Sequence, residues 1–137
     1  MGRILSLDIG KKRTGIAVTD PLKMIANGLD TISTADIITY LEKYLESEEV
    51  DLIVLGKPAQ MDGSESESMN YIRPVFNRLK KNFPEIEFVF VDERFTSVLA
   101  HKAMLQGGLK KKDRQNKALV DKVSATIILQ SYLESKI

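Results

Sequence analysis

Two short apolar runs at the start of the chain place the strongest constraint on its fold. Residues 4–9 and 16–19 are rich in strand-forming side chains, and a polar segment that begins at Gly10 and ends at Gly15 separates them. This spacing predicts two antiparallel strands joined as a hairpin. Residues 26–33 could add a third strand, so we expect the chain to open with a small antiparallel sheet.

The rest of the sequence alternates between helical and strand patterns. Apolar residues at helical spacing predict a helix ending near residue 49, a helix carrying Met69 and Leu79, a helix from about residue 96 to 107, and a last helix reaching Leu133. Residues 52–55 and 88–91 read as buried strands. Because crossover helices cover parallel strands, we predict an α/β fold in which helices flank a mixed five-stranded sheet.

Composition limits the class of protein. A length of 137 residues with 43% hydrophobic content fits one compact domain, residues 1–137. The absence of cysteine excludes disulfides and thiolate zinc sites. No apolar run is long enough to span a membrane and no secretory signal pattern is present, so we expect a cytoplasmic location.

The charges are balanced overall but unevenly distributed. A net charge of +1 gives no hint of a polyanionic partner. Basic residues nevertheless gather at residues 11–13 and again near residues 110–117, where a solvated loop is as reasonable an interpretation as a nucleic-acid contact. If the second group does bind nucleic acid, we expect it to do so by neutralising phosphates through Lys110, Lys111, Lys112 and Arg114.

Carboxylates stand at the ends of two predicted strands. Asp8 ends an otherwise apolar strand, where a charge is costly unless it is paired or metal-bound, although an Asp before glycine often only starts a turn. Asp92 and Glu93 follow the strand at residues 88–91, at the edge where open α/β sheets bind ligands. Their side chains alternate in direction, so we expect at most one of them to face the site.

A third carboxylate interrupts an apolar stripe of the last helix. Ala118, Asp121, Ala125, Ile128 and Tyr132 follow each other at steps of three and four, which predicts an inner face. The helix dipole favours an acid in the first turn but does not explain an inward position. Carboxylates without cysteine suit Mg²⁺ or Mn²⁺ better than zinc. Two such ions about 4 Å apart can hydrolyse a phosphodiester, which indicates a nuclease.

Four segments resemble the YqgF family, also called RuvX. They are LDIGKKRTGIA at residues 7–17, DGS at 62–64, DERFTS at 92–97 and VDKVSATIIL at 120–129, and the resemblance covers nearly the whole chain. It implies an RNase H-like fold, kinship with Holliday-junction resolvases, and a nuclease that matures the 5′ end of pre-16S rRNA. The resemblance implies a catalytic and metal-binding triad of Asp8, Glu93 and Asp121.

The same resemblance implies nucleic-acid contacts from Lys12, Arg13, Arg94 and Thr96. The expected partner is an RNA precursor, with branched DNA as the alternative, because contacts to a phosphate backbone carry no sequence information. The protein is expected to be a monomer or a weak homodimer.

Two other classes of protein compete with a nuclease. A phosphotransferase of the actin and sugar-kinase type also carries Asp-X-Gly in its first hairpin, but it needs a second domain and a second glycine-rich hairpin. A non-catalytic RNA-binding module for ribosome assembly could share the fold and the basic surfaces. The three carboxylates, for which packing offers no reason, favour the nuclease.

Overall fold

The computed structural model describes residues 2–58, 67–92 and 117–135. In chain order, these residues form β1 (Arg3–Ile9), β2 (Arg13–Thr19), β3 (Ala26–Ser33), a 3₁₀ turn (Thr34–Asp36), α1 (Ile37–Ser47), β4 (Val50–Lys57), α2 (Met69–Asn82), β5 (Glu87–Asp92) and α3 (Lys117–Glu134). The helix predicted from residue 96 to 107 lies outside the described residues.

The strands form one mixed sheet in the order β3-β2-β1-β4-β5. The neighbours β1 and β2, and β2 and β3, are antiparallel, whereas β4 is parallel to both β1 and β5. The predicted mixed five-stranded sheet is confirmed. Because β1, β4 and β5 run in one direction, their carboxyl ends lie at the same edge of the sheet, which we call the carboxyl edge.

Strand β2 is longer than its apolar run predicted. It begins at Arg13 rather than at residue 16, and its first residues pair with Ile9 and Asp8 on one side and with β3 on the other. Hydrogen bonds to two neighbours extend a strand through polar residues that hydrophobic alternation does not mark. Arg13 is therefore a strand residue, and the turn is closed by the Gly10 N–H, which donates to the Arg13 carbonyl at 2.8 Å.

Alternation along β1 separates two hydrophobic layers. Leu5 and Leu7 are fully buried and pack with α1 and α2, whereas Ile4 packs on the opposite face with α3. The sheet is thus covered on both faces, as predicted. In the part of the chain that the structure describes, no helix combines the length and the apolar character needed to cross a membrane.

Helix α3 lies along β1 and β2 in a defined register. The buried Ser6 hydroxyl donates to the Ala125 carbonyl at 2.6 Å. Four helical residues rise about 6 Å, nearly the length of two strand residues, so the turn before Ala125 comes to lie beside the residue pair two positions beyond Ser6 on the sheet. That pair is Asp8 and Gly15.

Candidate active site

Asp8 and Asp121 both lie next to Gly15. Asp8 is next to the last residue of β1 and pairs with Gly15 of β2. A Cβ built at Gly15 would collide with the backbone carbonyl of Asp121. The missing side chain therefore lets α3 approach the sheet directly beside Asp8. The fold brings two of the three predicted carboxylates, which are far apart in the sequence, to neighbouring positions on one face of the sheet.

Asp121 forms an ion pair with Arg13. The Arg13 Nε lies 2.8 Å from the Asp121 Oδ2, and the two side chains are 42% and 23% exposed. Arg13 precedes Gly15 by two residues on β2, so strand alternation places both on the face that α3 covers. The family resemblance implied a phosphate contact for Arg13. In the structure, its guanidinium lies beside Asp121, a predicted metal ligand.

Thr34 anchors the hairpin that carries Lys12 and Arg13. Its hydroxyl donates to the Gly10 carbonyl at 2.7 Å, and its backbone N–H donates to the Lys12 carbonyl at 2.9 Å. The buried hydroxyl of Thr14 lies 2.8 Å from that of Thr34. The turn is thus fixed to the 3₁₀ turn, while Lys12 is exposed to solvent. Sequence reasoning missed Thr34, and no local pattern marks a threonine whose partners are 20 and 24 residues away.

The ends of β4 and β5 complete the described part of the carboxyl edge. Asp92, the last residue of β5, is in register with Lys57 at the end of β4. Val91 packs in the hydrophobic layer of α3, so alternation assigns Asp92 to the other face of the sheet. Asp92 is therefore not on the face that carries Asp8 and Asp121.

Several predicted site residues lie outside the described residues, so their roles stay predictions. In residues 2–58, 67–92 and 117–135, no three histidine or acidic side chains form a group that could hold a metal ion. The predicted triad includes a residue beyond these ranges. The residues concerned are Glu93, Arg94, Thr96, Lys110, Lys111, Lys112 and Arg114.

Solved structures with this fold include RuvC. RuvC of Thermus thermophilus, in complex with a Holliday junction substrate, matches with a TM-score of 0.58 over 98% of this chain and 96% of that chain, at 13% sequence identity. A second structure of Thermus thermophilus RuvC matches with a TM-score of 0.56 at 11% identity, with the same coverage. The sheet order and this likeness define an RNase H-like fold.

Sequence comparison gives the family. The profile of the RuvX family, described as Holliday junction resolvase, matches residues 2–135. A protein of Phocaeicola vulgatus is 64% identical over 99% of this chain and 98% of its own length, and one of Bacteroides thetaiotaomicron is 58% identical over 99% of both. Both are named as candidate nucleases for pre-16S rRNA. The chain belongs to the RuvX family, a family of nucleases that act on nucleic acid, and the predicted membership is confirmed.

Proposed function

We propose that this protein is a metal-dependent nuclease, a single RNase H-like domain over residues 1–137, that processes the 5′ end of pre-16S rRNA. The observation that carries the proposal is the approach of Asp121 to Asp8 across Gly15. The names of the relatives, which refer to pre-16S rRNA, support RNA as the substrate.

The chemistry of the residues fits a hard divalent cation. Asp8 and Asp121 supply carboxylate oxygens, the ligands that Mg²⁺ and Mn²⁺ prefer. Alternation along β5 puts Val89 and Val91 on the same face as these two acids, and the next position in that alternation is Glu93. We therefore propose that Asp8, Glu93 and Asp121 hold the metal of a two-ion site. When bound, it would activate water and stabilise charge on the phosphodiester.

The other residues of the chain would position the substrate. Lys12 is exposed on a turn that Thr34 anchors by hydrogen bonds, which suits a contact with one phosphate of the backbone. Arg13, on the same hairpin, offers a guanidinium that matches phosphate geometry. We assign further backbone contacts to Arg94, Thr96 and the basic group Lys110, Lys111, Lys112 and Arg114.

The test is a cleavage assay with Mg²⁺ or Mn²⁺ on an RNA that carries the 5′ leader of pre-16S rRNA. We expect the parent protein to shorten the leader and Asp8→Asn to be inactive but folded, because the substitution removes a charge with little change in volume. The matched control is Asp36→Asn, an exposed acid at the end of the 3₁₀ turn whose side chain makes no cap hydrogen bond to α1. Full activity in Asp8→Asn would contradict the proposed site.

A resolvase-like DNA endonuclease is the second candidate, because the matching family profile carries the description of a Holliday junction resolvase. A four-way DNA junction offered beside the RNA leader separates the two. Cleavage of the junction alone would favour DNA. Binding of the leader without cleavage of either substrate would support the non-catalytic RNA-binding module.

A further inference from the structure

We infer that, in the free protein, the Arg13 guanidinium pairs with Asp121 in place of a metal ion. We further infer that Arg13 leaves Asp121 when the metal and a phosphate backbone bind. Arg13 would thereby couple the two binding events. This inference rests on the proposed function, because it takes Asp121 as a metal ligand. The observation behind it is the ion pair between the Arg13 Nε and the Asp121 Oδ2, 2.8 Å apart.

The two partners differ in how firmly they are held. Asp121 belongs to α3, whose backbone rests on Gly15 and whose next turn is bonded to Ser6. The Arg13 side chain is 42% exposed, and its backbone is fixed independently by the turn hydrogen bond to Gly10 and by the pairing of β2. The guanidinium can therefore move away without disturbing the fold, whereas the carboxylate stays.

Arg13 and a divalent cation compete for the Asp121 carboxylate. The guanidinium donates to Oδ2, and a metal ion held by the same small carboxylate would lie within a few ångströms of a like charge. Binding of the metal to the free protein must therefore displace Arg13 or be weakened by it. This makes Arg13 a competitor of the metal as long as no other anion is present.

A phosphate backbone removes this competition. Arg13 lies on the hairpin that also presents Lys12, and a guanidinium binds phosphate oxygens by charge-assisted hydrogen bonds. When a phosphate takes Arg13, the Asp121 carboxylate is left for the metal. By thermodynamic linkage, the metal then favours backbone binding by the same factor. The metal would therefore bind more tightly when nucleic acid is in place.

The inference can be tested by titrating Mn²⁺ into the full chain, with and without a short single-stranded RNA that has phosphorothioate linkages. Arg13→Gln should bind Mn²⁺ more tightly than the parent in the absence of RNA, by about fivefold, the lower end of typical coupling between sites. The gain in Mn²⁺ affinity on adding RNA should be smaller in the variant than in the parent.

The matched control is Lys12→Gln, which removes the same charge from the neighbouring exposed position. It should weaken RNA binding but leave the Mn²⁺ affinity of the free protein near the parent value. An equal rise in both variants would show a general charge effect and overturn the assignment of Arg13. So would unchanged or weaker Mn²⁺ binding in Arg13→Gln.

The ion pair between Arg13 and Asp121 can also be followed by NMR, which tests the inference without a mutation. In the parent protein, the Arg13 Nε–H signal in NMR spectra should shift when Mg²⁺ is added, as its hydrogen bond to Asp121 breaks. Metal binding without such a shift would overturn the inference and leave the proposed nuclease intact. A parent protein that binds no metal even with RNA would instead remove the proposed metal site itself, and the inference with it.

Discussion

Replacing Gly15 by alanine tests how the site is assembled. A Cβ at this position would meet the carbonyl oxygen and, at 2.5 Å, the carbonyl carbon of Asp121. These are backbone atoms of α3, which cannot rotate out of the way as a side chain would. The added methyl group must therefore push α3 away from β2, and with it Asp121 away from Asp8.

The expected cost follows from overpacking. Inserting a methyl group into a well-packed contact destabilises a protein by about 1–3 kcal/mol. For a chain of this length, this corresponds to a fall in the melting temperature of roughly 3–12 °C. Alanine is otherwise no worse than glycine in a strand and lowers the entropy of the unfolded chain, so the measured loss is a lower bound on the cost of the steric conflict.

Gly28 provides the matched control. It also lies on a strand under α3, but a Cβ there would meet the Cγ and Cδ of Lys122 at 2.7 and 2.8 Å, atoms of a flexible side chain. Gly28→Ala should therefore stay within about 0.5 kcal/mol of the parent. Urea unfolding of both variants measures the difference, and Mn²⁺ titration should show weaker binding only in Gly15→Ala. Equal stability of the two variants would refute the close approach of α3 at Gly15.

Three further predictions concern the support of the hairpin, the sheet and one loop. Thr34→Val keeps the volume but leaves the Gly10 carbonyl without its side-chain donor, so it should cost about 1–3 kcal/mol in urea unfolding and weaken RNA binding. Ser6→Ala removes a buried hydrogen bond to a carbonyl of α3 and should cost about 0.5–1.5 kcal/mol by the same assay. The backbone N–H of Ile25, with others in the loop, lowers the pKa of Asp20 below its ordinary value of 3.8, so this stabilisation is present above that pH and is lost as the pH falls below it. Asp20→Asn should reduce this acid dependence of the free energy of unfolding, measured above and below pH 3.8; an unchanged dependence would contradict the role of Asp20.

Local patterns in the sequence determined the elements and their faces. Alternation along β1 separated Leu5 and Leu7 from Ser6 and Asp8, and the structure places these pairs in opposite layers. Helical spacing likewise assigned Ala125 to the inner face of α3, where it is fully buried. These features depend on side chains a few positions apart, so the periods of strand and helix reveal them directly. The motifs were similarly sufficient to identify the RuvX family.

Only the tertiary structure decided how the site is built. Arg13 and Asp121 are separated by 108 residues, and nothing in either segment indicates that they form an ion pair. Their contact depends on the register of α3 against the sheet, which in turn depends on the missing side chain at Gly15. Thr34 holds the basic hairpin through Thr14 and Gly10, which lie 20 and 24 residues away in the sequence. Local propensity acts between neighbours along the chain, whereas these contacts arise only when distant elements pack. That packing places Arg13, which was expected to bind phosphate, beside Asp121, which was expected to bind metal.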